Sequence, residues 1–212
     1  VGFLLVLLCL SGPSAAEEVV LQPTDPLTTV FHQTADACDF RRFESAYDGM
    51  LASVREKQIQ QFDRNGFTPL TYAARCGCLD IVKLLVKNGA VVDARPDVKH
   101  MTPLTHAAEQ HHTEVVEFLL KNRADPNAEY GVKRNPFFAT IIGSEYGYGD
   151  SGHQDNTLLT LLKYKADINA RDDNGATPLI IAVQWGDKTL VRFLIDNGAI
   201  VWVADKYHKT AA

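Results

Sequence analysis

No apolar run in this chain is long enough to cross a membrane as a helix. The longest, Val1 to Leu10, stops at Ser11, Gly12 and Pro13, about half of the roughly 20 residues that a span needs. Cysteine is scarce, with four in 212 residues, which excludes a fold built mainly on disulfides. Cys76 and Cys78 have the spacing of half a zinc site, but no matching second pair exists, so no metal site is expected. There is no Asn-x-Ser/Thr acceptor for glycosylation. A basic stripe is also missing: 21 basic against 26 acidic residues leave a net charge of −5. That balance excludes an electrostatic nucleic-acid surface and names no other partner class.

The short apolar run is followed by Ser14-Ala15-Ala16 and then Glu17-Glu18, which is the core and small-residue cleavage end of a secretory signal peptide over residues 1–16. The usual basic start is absent and the chain opens on valine, so the basic region is expected to be truncated. Cys9 invites a lipoprotein anchor, a reading that Leu8 disfavours because a small residue belongs there. The expected product is exported, to the periplasm or beyond, with no membrane insertion of the mature chain. Export admits disulfides. Three cysteines then remain, and Cys38 with Cys76 or Cys78 is a candidate pair; the competing reading makes all three small buried apolar residues.

What the chain does have is internal repetition. Asp63-Arg64-Asn65-Gly66-Phe67-Thr68-Pro69-Leu70 returns as Asp172-Asp173-Asn174-Gly175-Ala176-Thr177-Pro178-Leu179. Pro69, Pro103, Pro136 and Pro178 are separated by 34, 33 and 42 residues, so the last interval holds one ordinary repeat and a nine-residue insertion. Each recurring position has a physical reason. Proline suits the first turn of a helix because its missing N–H would be unpaired there, and Thr68, Thr102 and Thr177 can cap the free donors. Ala73-Ala74 and Ala107-Ala108 keep the first helix thin. The second helix carries an apolar stripe: Ile81, Val82, Leu84 and Leu85; then Val115, Val116, Phe118 and Leu119; then Leu190, Val191, Phe193 and Leu194. Gly89 and Gly198 stop that helix in a left-handed cap. No copy can bury its stripe alone, so stacking must create the core.

The block from Thr68 to Ala94 resembles an ankyrin repeat, and four copies run from Asp63 to Ala204. The resemblance implies an all-α solenoid of helix pairs with hairpin tips. The expected layout is a linker and degenerate capping helices over 17–62, repeats over 63–96, 97–129, 130–171 and 172–204, and the start of a fifth over 205–212. Asp39-Phe40 is aligned with Asp80-Ile81 as the mark of the degenerate first pair. In the third copy the second helix is expected to resume at Thr157, after a Gly/Tyr-rich insertion at about 143–156.

Enzyme motifs are weak. Gly147-Tyr148-Gly149-Asp150-Ser151-Gly152 matches a dinucleotide glycine fingerprint, but a helix rather than a strand precedes it. Gly149-Asp150-Ser151-Gly152 echoes a serine-protease nucleophile segment without room for the rest of that constellation. His106, His111 and His112, with Glu109 and Glu114, read as structural or solvated because no closing metal ligand can be identified. No enzyme and no cofactor are expected.

The resemblance implies binding of another protein, with tips and first-helix ends forming the concave face. Carried over position by position, the partner-binding set is Arg64, Asn65, Phe67, Arg75, Lys99, Met101, Glu109, Gln110, Arg134, Asp173, Asn174, Gln184 and Trp185. Trp185 is the outlier, a large aromatic at a solvent-facing position and the expected interface anchor; packing against Tyr148 is its alternative. The chain thus reads as an exported, noncatalytic, bacterial ankyrin-repeat protein, monomeric in isolation. An accessory or protective subunit of an exported enzyme is the runner-up, and a hydrolase using the inserted loop is a third reading.

Overall fold

The computed structural model describes residues 30–97, 99–143 and 153–211, with 153–155 described for their backbone alone. The expected signal peptide, Val98 at the second tip, the glycine fingerprint with Ser151, and Tyr146 and Tyr148 of the insertion lie outside the described residues. The elements are α1 (Val30–Asp36), α2 (Phe40–Asp48), α3 (Ala52–Gln60), α4 (Pro69–Arg75), α5 (Leu79–Lys87), α6 (Pro103–Glu109), α7 (Thr113–Lys121), α8 (Pro136–Ile142), α9 (His153–Lys163), α10 (Pro178–Trp185) and α11 (Lys188–Asp196). Among the described residues the only strand-like pairing is an isolated bridge between Tyr130 and Arg134.

Each first helix starts in the same way. Proline occupies its first turn, and the preceding side chain accepts a backbone N–H three residues on: Thr68 from Thr71, Thr102 from Thr105, Asn135 from Phe138 and Thr177 from Ile180. The turn to the second helix passes through one left-handed residue, which is Cys38, Gly77, His111 or Gly186. That equivalence corrects the alignment of the first pair. Asp39 matches Cys78, His112 and Asp187 at the start of the second helix, two positions before Asp80.

The second helices close alike. Gly89, Arg123, Lys165 and Gly198 are left-handed, and the next N–H returns to a carbonyl five residues back: Ala90 to Leu85, Ala124 to Leu119, Ala166 to Leu161 and Ala199 to Leu194. This is the Schellman pattern, and in two copies a charged residue occupies the site that glycine favours. The third copy differs from expectation in its helix start. The backbone is helical from His153, one turn ahead of Thr157, because no residue after Gly152 interrupts the helical spacing that leads to Leu158 and Leu161.

Stacking buries the stripes. Ile81, Val82, Leu85, Val115, Val116, Leu119, Leu158, Leu161, Leu190 and Leu194 join one core, which continues through Phe31 and Phe43 of the first pair. The alanines at 73, 74, 107 and 108 are all buried, where α4, α6 and α8 approach closely. Between α8 and α10 no comparable backbone approach occurs; Thr140 and Ile141 stand at the positions of the alanine pair, and Phe137 and Phe138 add bulk beside them.

A rung of side-chain hydrogen bonds ties each loop to the next. Gln60 Oε1 accepts from Val91 N at 3.1 Å, Asp93 Oδ2 from Asp125 N at 3.0 Å, Asn127 Oδ1 from Asp167 N at 2.7 Å and Asn169 Oδ1 from Ile200 N at 2.8 Å.

The first helix pair is fastened to the second covalently. Cys38, at the left-handed turn of the first pair, is disulfide-bonded to Cys78 at the start of α5, with Cα atoms 5.5 Å apart and a separation of 40 positions in sequence. Cys76 lies outside this bond, and its thiol donates to the Asp36 carbonyl at 3.3 Å.

Two outcomes follow from this packing. Leu119→Ala, in a helix covered on both sides, should cost on the order of 2–5 kcal/mol in denaturant unfolding; a loss below about 0.5 kcal/mol is a surface effect and contradicts the stripe. Reduction, or Cys78→Ser, should cost about 3–4 kcal/mol, as expected for freeing a loop of that length in the unfolded chain. Unfolding curves that coincide with and without reductant would refute the fastening role.

Candidate functional site: the concave face

The first helices α4, α6, α8 and α10 and the tips before them place equivalent residues in columns. The tip column nearest the helices holds Phe67, Met101, Arg134 and Ala176. The next holds Tyr72, His106, Ala139 and Ile181, and the third holds Arg75, Glu109, Ile142 and Gln184. Cys76, Gln110, Gly143 and Trp185 form the last column, toward the turn between helices.

Arg75 is tied into the stack, with a third of its side chain exposed. Its Nη2 donates to Asp36 Oδ1 at 2.7 Å, and its guanidinium lies 5.0 Å from the Tyr72 ring centre and 5.4 Å from that of Phe67. Burial opposes its charge, yet the Asp36 carboxylate more than compensates and raises its pKa. Phe67 packs edge-on against both Tyr72 and His106, with ring centres 5.3 and 5.0 Å apart. The Tyr72 hydroxyl donates to Asp63 Oδ2 at 2.7 Å; burial, then this bond to a carboxylate, pushes its pKa up.

The middle of the face holds polar atoms without partners. His106 is 7% exposed, and neither of its ring nitrogens has a hydrogen bond. Its Nδ1 stands 3.7 Å from Glu109 Oε2, beyond hydrogen-bond reach. Tyr130 is 8% exposed with an unpartnered hydroxyl, and burial followed by the Glu109 charge raises its pKa. Arg134 Nε is buried and unpartnered, while Nη2 lies 3.8 Å from Asp172 and the guanidinium 5.6 Å from the Phe138 ring. Buried polar groups of this kind each cost on the order of 1–3 kcal/mol unless satisfied.

The structure thus brings Phe67, Arg75, Glu109 and Arg134 into one row. Met101 is half-buried, and Arg64, Asn65, Lys99, Gln110, Asp173 and Asn174 are exposed at the tips and helix ends. Asn65 is turned inward to Asp63, through its own N–H and its side chain. Gln184 and Trp185 are exposed, Trp185 by 50%, on the fourth pair and apart from that row. Gly143, in the same column as Trp185, packs so closely on α6 that a side chain there would collide with the Glu109 carbonyl. Sequence reasoning missed Tyr72, Tyr130 and Trp202. Tyr130 had a signal: it replaces the aspartate that opens the tips at Asp63, Asp97 and Asp172.

His111 and His112 border the face. His112 Nε2 donates to the Arg75 carbonyl at 2.9 Å, bridging two repeats. Burial lowers the pKa of both histidines, and for His111 the neighbouring His112 adds to it. Among the described residues no group of three His, Cys, Asp or Glu side chains is placed to hold a metal ion.

Family comparison agrees with this geometry. A model of ankyrin repeats in three copies matches residues 43–130, and a model of ankyrin repeats in many copies matches residues 148–195. Together they span more than half of the chain, which belongs to the ankyrin-repeat proteins. No curated protein matches it significantly.

The two histidines make a pH prediction. Their folded-state pKa values lie below the ordinary 6.5, so the unfolded chain binds protons first on acidification. Their stabilisation is complete above about pH 6.5 and is lost as pH falls toward and through the folded values. Stability to denaturant should therefore drop between about pH 7 and 5, and drop less in His111→Asn. A pH-independent midpoint, or one that rises on acidification, would count against it.

Proposed function

We propose that this is a noncatalytic, exported ankyrin-repeat protein that binds another protein on its concave face and tips. The supporting observation is the cluster of buried, unpartnered polar atoms on His106, Tyr130 and Arg134, lying around Glu109 in the middle of that face. These atoms lie just beneath the surface, so a docked partner reaches them through a bridging water or a small side-chain shift, and a bond made in that way recovers a free energy that the isolated chain forgoes. Exposed Trp185 and half-buried Phe67 add aromatic anchors at the two ends of the surface.

Export is supported by the signal-like residues 1–16 and by the Cys38–Cys78 bond, since disulfides persist mainly in oxidising compartments. The periplasm or the extracellular space is the proposed destination.

The experiment is capture of a stoichiometric partner by the mature chain, followed by affinity measurement on variants. Phe67→Ala and Trp185→Ala should each weaken binding roughly 30-fold, as a loss of about 2 kcal/mol implies. Lys121→Ala is the control, because Lys121 is exposed on α7 and pairs with Glu117 at 3.2 Å. With folding verified by circular dichroism, equal losses in all three variants, or none in the two aromatic ones, would move the interface off this face.

A further inference from the structure

The tips carry a charge pattern opposite to that of the whole chain. Against a net charge of −5, the first three tips present Arg64, Lys99 and Lys133 in exposed positions, with His100 and Arg134 half-buried beside them. The Asp63 carboxylate of these tips is buried, and the exposed Asp97 carboxylate is engaged within its own tip. Asp63 accepts from the N–H groups of Asn65 and Phe67 and from the Tyr72 hydroxyl. Asp97 accepts from Lys99 N and contacts His100 Nδ1 at 2.9 Å. In the third tip the aspartate is gone altogether, replaced by Tyr130. The row ends at the fourth tip, where exposed Asp173 follows Asp172.

We infer that this row receives an acidic, extended peptide segment of the partner, an inference that rests on the concave-face reading above. The three cations answer carboxylates, and the apolar surface between them answers apolar side chains: Phe67 and Met101 are half-buried, and Val132 is 44% exposed. Geometry sets the spacing. Neighbouring helices pack about 8–10 Å apart, and a peptide in the polyproline II conformation rises about 3.1 Å per residue with three residues per turn, so every third side chain faces the row and meets a successive tip. The matching pattern is an acidic residue, two others, an acidic residue, two others and an acidic residue, with the intervening residues apolar. A nucleic-acid strand fits less well, because Glu109 and Asp173 flank a row of only three exposed cations, and Met101 and Val132 offer no face for base stacking.

The test is fluorescence anisotropy with a labelled peptide Glu-Ala-Phe-Glu-Ala-Phe-Glu, its lysine counterpart and a seven-nucleotide single-stranded RNA. The glutamate peptide should bind saturably and lose affinity as salt rises. The exposed pair of changes Lys99→Glu and Lys133→Glu should weaken it at least about tenfold while improving the lysine peptide, by the sign of the charge contacts alone. Absence of saturable binding up to millimolar peptide, equal affinity in the reversed variant, or tighter RNA than peptide overturns the inference. Partner capture separates the two readings: if the reversed variant keeps wild-type affinity while Phe67→Ala loses it, the concave face stands and the acidic segment falls. If neither change matters, both fall.

Discussion

The structure depends on one constraint: no helix pair can bury its own apolar stripe. A pair of helices of seven to eleven residues is below the length at which isolated helices hold in water, and each second helix carries an apolar stripe that its own pair does not cover. Val116 is fully buried in α7, which packs against its own α6 and against α5 and α9 of the neighbouring copies, and Leu158 is fully buried in α9, which packs against α8 and α7. Everything else serves this stacking. The alanines thin the first helices, the threonine and asparagine caps fix where each begins, and the loop ladder from Gln60 to Ile200 sets the register between copies. In such a one-dimensional array, stability is a sum of copies and of their nearest-neighbour contacts, so the places where contacts thin are where the chain opens first.

The fold was readable because stacking imposes the same demands on each copy. Proline at the helix start, the alanine pair and the apolar stripe recur for local reasons, and local reasons show in sequence. What was not readable came from substitutions that keep the backbone while changing the residue. Arg123 and Lys165 occupy left-handed caps where glycine was the signal, and Cys38 occupies the turn that Gly77 marks. That last replacement concealed the register of the first pair by two residues. The start of α9 was misplaced for a related reason: the apolar stripe marks which face is buried, and a helix can begin a turn earlier with polar residues that leave no stripe. Of the site, the columns followed from the repeat, but the pairing of Arg75 with Asp36, 39 residues earlier in sequence, did not. Pairings across copies of that kind have no local trace.

The concave face shows how a repeat protein differentiates its surface without altering its core. In the first copy the polar groups of the face are mutually satisfied: Tyr72 bonds Asp63, and Arg75 bonds Asp36. In the second and third copies the corresponding groups are Glu109, His106 and Tyr130, and the geometry leaves the His106 nitrogens and the Tyr130 hydroxyl without partners. The replacement of an aspartate by Tyr130 has two effects at once. It removes the carboxylate that would have accepted from neighbouring tip groups, and it adds a hydroxyl held near Glu109. The same backbone therefore presents a closed network at one end and an unsatisfied one in the middle.

The two ends of the described stack are built on different physics. At the N-terminal side the first pair is joined by a disulfide, by the Arg75–Asp36 ion pair and by His32, whose Nε2 lies 2.9 Å from the Gln61 carbonyl and 3.0 Å from that of Phe67. Its outer helix α2 presents Arg41, Arg42, Glu44 and Ser45 to water, as a polar cap must. At α10 and α11 the equivalent surface is apolar. Val183 is 40% and Ile195 46% exposed, whereas Ala108 and Leu120 at the same positions of the second copy are buried. Trp202, 80% exposed, stands where Asp93, Asn127 and Asn169 each accept a bond from the following loop, and an indole offers only a donor there. The ladder that registers one copy on the next therefore has no acceptor side chain at this position. The hydrogen-bonding rule that organises the inner copies gives way there to apolar surface.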